Sequence, residues 1–204
     1  LGSDEGADRV GLRTDSMILA MVHQGTGHTV LVSVPRNLAK LRFPPGSAMA
    51  KKYPNGFTDL TNAVYITVQN DPALKKAYSG QGMDPGIRAL MEGLSYSLGI
   101  TIDDYVLVNS CAFVKVVDAI GGVTITLDKK LPMPAELRCS NYRLPPTIGP
   151  GAVFMDGTKA LGYVRSRKAD SDYYRMQRQR TLLQTIAKKV GIGTLLADFG
   201  ELAD

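Results

Sequence analysis

Apolar positions along the chain group into two kinds of pattern. Residues 16–22 (Ser-Met-Ile-Leu-Ala-Met-Val) and 29–34 (Thr-Val-Leu-Val-Ser-Val) are short runs rich in β-branched residues. They flank a turn at His23-Gln-Gly-Thr-Gly-His28, which predicts two strands in a hairpin. Pro35 ends the second strand, because proline cannot continue a central ladder. Residues 40–57 are basic and broken by Pro44, Pro45, Gly46, Pro54 and Gly56, which predicts a loop. Thr58 to Val68 reads as a helix with Leu60, Val64 and Val68 inward, and Asn70-Asp-Pro72 breaks the chain.

Ile87, Leu90, Met91, Leu94 and Leu98 recur at i, i+3, i+4, i+7 and i+11, which is one face of a helix over 85–98. Pro85 suits its first turn and Gly99 the position just past its end. Tyr105 to Val108 predicts a strand, Ala112 to Ile120 a helix stopped by Gly121-Gly122, and Val123 to Leu127 a half-buried strand. Residues 131–151 hold five prolines and predict a long loop. Met155 to Val164 reads as a helix. A last helix runs to about Val190, with Ser171 as its N-cap, Asp172 in its first turn, and Met176, Leu182, Leu183, Ile186 and Val190 inward. Strands interspersed with helices predict an α/β fold: a single-domain α-β-α sandwich over residues 1–204.

The 204 residues are 44% apolar and 21% charged, which excludes disorder, and no apolar run is long enough to cross a membrane. Lys and Arg outnumber Asp and Glu by 24 to 19, and the net charge of +5 favours an anionic partner. Residues 165–180 hold Arg165, Arg167, Lys168, Arg175, Arg178 and Arg180. Only Tyr173 and Tyr174 interleave them, a weak pattern for nucleic acid. Cys111 and Cys139 lack zinc-site spacing; they are two free thiols, a disulfide or an incidental pair.

The hairpin places Arg13, Asp15 and Arg36 along one sheet edge, as a surface ion pair or part of an anion site. Arg165 and Arg167 project to one side of an extended chain, and guanidinium forks held close suit phosphate oxygens. The other reading is a solvated basic loop. Arg175, Arg178 and Gln179 share one face of a helix's first turns, a place where cations oppose the dipole. That face is either solvated or part of an anion site. Asp4 and Asp15 beside arginines would suit Mg²⁺, which takes carboxylate oxygens plus substrate phosphates. His23 and His28 sit at the far end of the hairpin, as surface residues.

Five segments in order resemble one family. They are Arg13-Thr-Asp15-Ser-Met-Ile-Leu, Val32-Ser-Val-Pro-Arg36, Val117-Asp-Ala-Ile-Gly-Gly-Val123, Asp156-Gly-x-x-Ala-Leu161-x-Tyr-Val-Arg-x-Arg167, and Asp172-x-x-Arg175-x-x-Arg-Gln179. Together they are similar to the LytR-CpsA-Psr domain, across nearly the whole chain. Asn62-Ala63-x-Tyr65 resembles the family's Asn-x-Ala-Tyr segment more loosely. The resemblance implies a mixed central sheet between helices with an apolar tunnel for a lipid chain. The 85–98 helix is the candidate wall of that tunnel, although plain core is the favoured reading of its stripe.

The implied activity is Mg²⁺-assisted transfer of a glycopolymer from a polyprenyl-pyrophosphate carrier to peptidoglycan, forming a phosphodiester. The alternatives are a polyprenyl-pyrophosphate pyrophosphatase, or a non-catalytic domain that binds polyanions or the lipid carrier. By matching position, Arg13, Arg36, Arg165, Arg167, Arg175 and Gln179 would hold the pyrophosphate. Asp4 and Asp15 would bind Mg²⁺, and Asp172 would orient the arginines. The implied location is the extracytoplasmic face of the membrane, with an anchoring helix and a first strand preceding Leu1, and no nucleic-acid partner. An outside location admits a Cys111–Cys139 disulfide, which in the chain-entropy account stabilises by about 3–4 kcal/mol. Two departures stand out: Asn37 replaces the family's usual Asp after Pro-Arg, and the usual Gly-Gly after the Ala-Tyr segment is absent.

Overall fold

The computed structural model describes residues 2–3, 14–80, 82–137, 139–166 and 171–190. The chain folds into two compact units. One joins the chain up to Met17 with Val34–Tyr105; the other joins Ile18–Ser33 with Val106 onward.

β1 (Gly2–Ser3), β2 (Thr14–Val22) and β3 (Thr29–Val34) form a three-stranded sheet in that order. β1 pairs antiparallel with β2. The expected hairpin is present. The His23 amide donates to the His28 carbonyl at 2.8 Å, and Gly27 takes the positive φ of 69° that closes the turn. Both histidines are exposed, as expected.

Four helices and a 3-10 turn follow in the first unit. α1 (Ala48–Lys52) lies in the segment expected to be a loop; the Ser47 hydroxyl caps it by accepting from the Ala50 amide. The Thr61–Ala63 turn leads into α2 (Val64–Asn70), then α3 (Pro72–Tyr78) and α4 (Pro85–Leu98). α3 corrects the expected break at 70–72. The Asp71 carboxylate accepts from the Ala73 and Leu74 amides, and Pro72 occupies the first helical position. An Asp-Pro pair starts a helix as readily as it ends one.

α4 has the expected bounds, with Gly99 beyond it at φ 67°. Its Ile87, Leu90 and Leu94 are buried, and it packs against α2 and α3. Leu98 is exposed. The apolar stripe read as a tunnel wall is core of this unit. Gly93 admits the Phe43 and Leu41 side chains to within 3 Å of where a Cβ would stand.

The second unit is built on α5 (Ser110–Ala119), β4 (Val123–Leu127), β7 (Gly151–Met155), α6 (Gly157–Arg165) and α7 (Asp172–Val190). β4 pairs antiparallel with β7, from Val123 opposite Met155 to Leu127 opposite Gly151. Here 151–155 is strand, where the sequence predicted loop and the start of a helix. Tyr105–Val108 forms no strand; only Val108 makes a single bridge. β5 (Leu131–Pro132) and β6 (Thr147–Ile148) pair over two residues inside the proline-rich segment.

Helices and strands therefore interleave as expected, but the described strands form three separate sheets and not one mixed sheet. Prolines 132, 134, 145, 146 and 150 lack the amide that a longer ladder needs. The core joins Val117, Val123, Ile125, Met155, Leu161, Leu182 and Ile186. An apolar cleft of about 550 Å³ opens between residues 132–135 and 143–146.

Cys111 and Cys139 form a disulfide, with 5.0 Å between Cα atoms. The segment after Cys139 ties two helix ends together. Tyr142 donates to both Asp156 oxygens, at 2.9 and 2.8 Å, while Asp156 caps α6 at the Lys159 amide. Burial and then that carboxylate push the Tyr142 phenol up, so it remains a donor. Asp118 on α5 accepts from the Gly157 amide at 2.7 Å.

The buried stripe of α7 is Arg175, Arg178, Leu182 and Ile186. It was expected to begin at Met176, which is half-buried. Arg178 donates to the carbonyls of Tyr163, at 3.1 Å, and Ser166, at 2.6 Å. It ties α7 to the C-terminal end of α6, where carbonyls lack intrahelical partners. Arg178→Met should lower stability by about 3 kcal/mol, read as an earlier urea midpoint, because both carbonyls lose this donor while buried.

Candidate functional site

The first group of candidate side chains surrounds the start of β2. Asp15 is 7% exposed, and its Oδ1 accepts from Arg36 Nη1 at 2.8 Å and from Asn62 Nδ2 at 2.9 Å. The hairpin brings Arg36, just past β3, beside Asp15, as the sequence predicted. Asn62 arrives from the 3-10 turn. Its backbone amide donates to the Arg36 carbonyl at 3.1 Å, and the neighbouring Thr61 amide donates to the Leu38 carbonyl at 2.8 Å. The turn is thus pinned to the segment that carries Arg36. Asn37, the departure from the family pattern, is exposed.

Asn62 is 4% exposed, and its Oδ1 has no hydrogen-bond donor among the described residues. A buried carbonyl oxygen without a donor is costly to the fold. Asp15 and Asn62 are both oxygen donors, the chemistry that suits a hard cation such as Mg²⁺. Among the described residues no three His, Cys, Asp or Glu side chains gather as a metal site, so phosphate oxygens and water would have to complete one. The residues present fit a cation bound together with a phosphorylated ligand.

The second group lies at the junction of α6 and α7. Arg165 ends α6 half-buried, and its Nη1 donates to Ser110 Oγ at 3.4 Å. Ser166 is 1% exposed, and its hydroxyl donates to the Pro132 carbonyl at 2.6 Å. The chain therefore turns at a fixed point after Arg165. Asp172 opens α7 and pairs with Arg175 Nη2 at 2.8 Å, one turn on. Arg175 is 4% exposed, so the solvated-face reading of this helix is corrected: the arginines face inward. Gln179, one turn further, is half-buried.

Asp4, Arg13 and Arg167 lie outside the described residues. Asn62 and Ser110 are partners that the candidate set lacked. For Asn62 the available signal was the loose Asn-Ala-x-Tyr match. Arg178, grouped with Arg175 by spacing, is instead engaged by the carbonyls of Tyr163 and Ser166.

The sequence matches the LytR_cpsA_psr family along residues 1–204, and the chain belongs to that family. It is 29% identical over 191 residues to Biofilm regulatory protein A of Streptococcus mutans, covering 93% of this chain and 41% of that protein. It is 27% identical over 204 residues to the Bacillus subtilis polyisoprenyl-teichoic acid–peptidoglycan teichoic acid transferase TagU, covering 99% and 54%. Among solved structures, TagT bound to LIIa-WTA superposes with a TM-score of 0.63 at 26% identity, covering 93% of this chain and 60% of that one. The chain spans about half the length of the curated relatives it matches.

Proposed function

We propose that this chain moves a glycopolymer from a polyprenyl-pyrophosphate carrier onto peptidoglycan, on the extracytoplasmic face of the membrane. The observation that carries the reading is the Asp15 carboxylate held by Arg36 and Asn62, an acid and a fixed cation side by side. The Asp172–Arg175 pair, in which Arg175 is buried and Asp172 partly exposed, orients another guanidinium. Support also comes from the transferase activity that the name of its relative TagU states and from TagT bound to LIIa-WTA. The disulfide suits an oxidising compartment. No helix among the described residues is long and apolar enough to cross a membrane, so the anchoring helix belongs to this proposal alone.

In this reading a peptidoglycan hydroxyl oxygen attacks the phosphorus that bears the glycan. The bond from that phosphorus to the bridging oxygen breaks, polyprenyl phosphate leaves, and the hydroxyl proton passes to solvent. By the family match, Arg13, Arg36, Arg165, Arg167 and Arg175 would hold the pyrophosphate oxygens. Gln179 contributes a neutral donor, and Asp172 fixes the plane of the Arg175 guanidinium. Asp15 and Asp4 would hold Mg²⁺, which would neutralise charge developing on the phosphate oxygens. With water in place of the acceptor, the same site would hydrolyse the pyrophosphate.

The test is product formation from a polyprenyl-pyrophosphate-linked glycan, with and without peptidoglycan acceptor, with and without Mg²⁺. Transfer should require both, and Arg165→Ala should lower it by about 100-fold, the scale of losing one charge-stabilising donor. Hydrolysis at equal rate with and without acceptor would make the protein a pyrophosphatase. Binding of the lipid with no turnover under any condition would make it a carrier-binding domain.

A further inference from the structure

Asn62 carries an oxygen that the fold does not use. The residue is 4% exposed and is held from two sides. Its Nδ2 donates to Asp15 Oδ1 at 2.9 Å, and its backbone amide donates to the Arg36 carbonyl at 3.1 Å. A carboxylate only accepts, so the amide nitrogen must face Asp15 and the other branch must carry the oxygen. Among the described residues that Oδ1 receives no hydrogen bond. Flipping the amide would set two oxygens against each other. The turn cannot swing to relieve the cost either. Thr61 is fully buried, and its amide and hydroxyl both donate to the Leu38 carbonyl, at 2.8 and 3.0 Å. Asp15, Arg36 and Asn62 all belong to the first unit.

From these observations we propose that Asn62 Oδ1 is itself a ligand of the divalent cation, beside the Asp15 carboxylate. The proposal rests on the cation-assisted transfer reading given above. Amide carbonyl oxygens serve hard cations together with carboxylates. The two branches of one amide share a carbon, so an amide whose nitrogen bonds Asp15 sets its oxygen beside the same carboxylate in space. One side chain then does two things: Nδ2 orients Asp15, and Oδ1 meets the metal. A neutral ligand also explains how the group stands preformed. A carboxylate at position 62 would repel Asp15 whenever the cation is away, whereas the amide donates to it. The buried oxygen without a donor, a cost to the fold, becomes the oxygen that binding repays. Asn62 thus adds a neutral oxygen to the carboxylates assigned to the metal.

The test reads affinity for a soluble probe, geranyl pyrophosphate, by calorimetry at rising Mg²⁺ or Cd²⁺ concentration. Metal binding to the free probe is common to every protein compared and cancels. Asn62→Ala should raise the half-saturating Mg²⁺ concentration by about 10- to 100-fold, the scale on which metal sites respond to a lost partner. Asn62→Cys should lose its Mg²⁺ response to the same degree, yet respond to Cd²⁺ at or below the wild-type concentration, because a thiolate is a soft ligand. Its Cd²⁺ complex should also gain a thiolate-to-metal ultraviolet band that the wild type lacks. Equal loss for both metals in both variants, with no new band, makes Asn62 a positioning residue for Asp15 and overturns the ligand. An unchanged Mg²⁺ response in Asn62→Ala also overturns it and leaves Oδ1 to a buried water. Circular dichroism checks that each variant is folded. If neither is, the wild type decides: with the probe bound, the Asn62 side-chain carbonyl resonance should shift on adding Mg²⁺, and an unmoved resonance overturns the proposal. A wild type whose probe affinity ignores Mg²⁺ removes the cation from the transfer reading itself, a different result from binding that needs Mg²⁺ but not Asn62.

Discussion

Replacing Asp15 with Ala should lower glycan transfer by 100- to 1,000-fold and remove most of its response to added Mg²⁺. The side chain does two things at once. Its Oδ1 holds the Arg36 guanidinium and the Asn62 amide at 2.8 and 2.9 Å. It is also the described carboxylate assigned to the metal. Losing it takes away negative charge from the cation and the acceptor that orients Arg36, and electrostatic losses of this kind fall in that range. The measurement is initial rate against Mg²⁺ concentration for both proteins. Asp15→Asn keeps the shape and an oxygen but not the charge, and should recover little of the rate. A variant with full activity and an unchanged metal titration would take Asp15 out of the site.

The second large effect is on stability. A Cys111→Ser/Cys139→Ser protein should lose about 3–4 kcal/mol, the loop-closure value for a 28-residue separation. For a chain of this length that corresponds to a melting temperature lower by about 10 °C. Reduction of the wild type should reproduce the shift, and the double variant should not respond to reductant. Activity should fall with it. Cys111 follows Ser110, whose hydroxyl accepts from Arg165, and the segment after Cys139 donates to Asp156, the N-cap of α6, and to Thr158 in its first turn. Calorimetry with and without reductant separates this bond from general fragility.

How far the sequence discloses this arrangement depends on how local each feature is. α4, α5 and α7 were readable because their caps and apolar spacing lie within one segment. α3 was hidden by reading Asp71-Pro72 as a stop, although the pair is an N-cap followed by a first-turn proline. β7 was hidden for another reason: only its pairing with β4 makes Gly151–Met155 a strand, and a pairing is not visible along the chain. The same distinction divides the site. Asp15 and Arg36 were placed together by a hairpin that its own turn dictates. Asn62 comes to them across residues 37–61, through hydrogen bonds between a turn and a loop that no periodicity records.

The single buried face of α7 begins as two cations and continues as Leu182 and Ile186. Neutral drift treats such a face unevenly. Buried ionic groups are commonly replaced by apolar residues of similar volume with no loss of stability, and sometimes with gain. In the glycopolymer-transfer reading, position 175, paired with Asp172, serves the chemistry, and would relax toward Leu or Met in a descendant freed from turnover. Position 178, which serves two main-chain carbonyls, would stay Arg in that descendant, because the fold still needs the donor. Within one turn of helix, that reading sets a marker of retired activity beside a marker of ancestry.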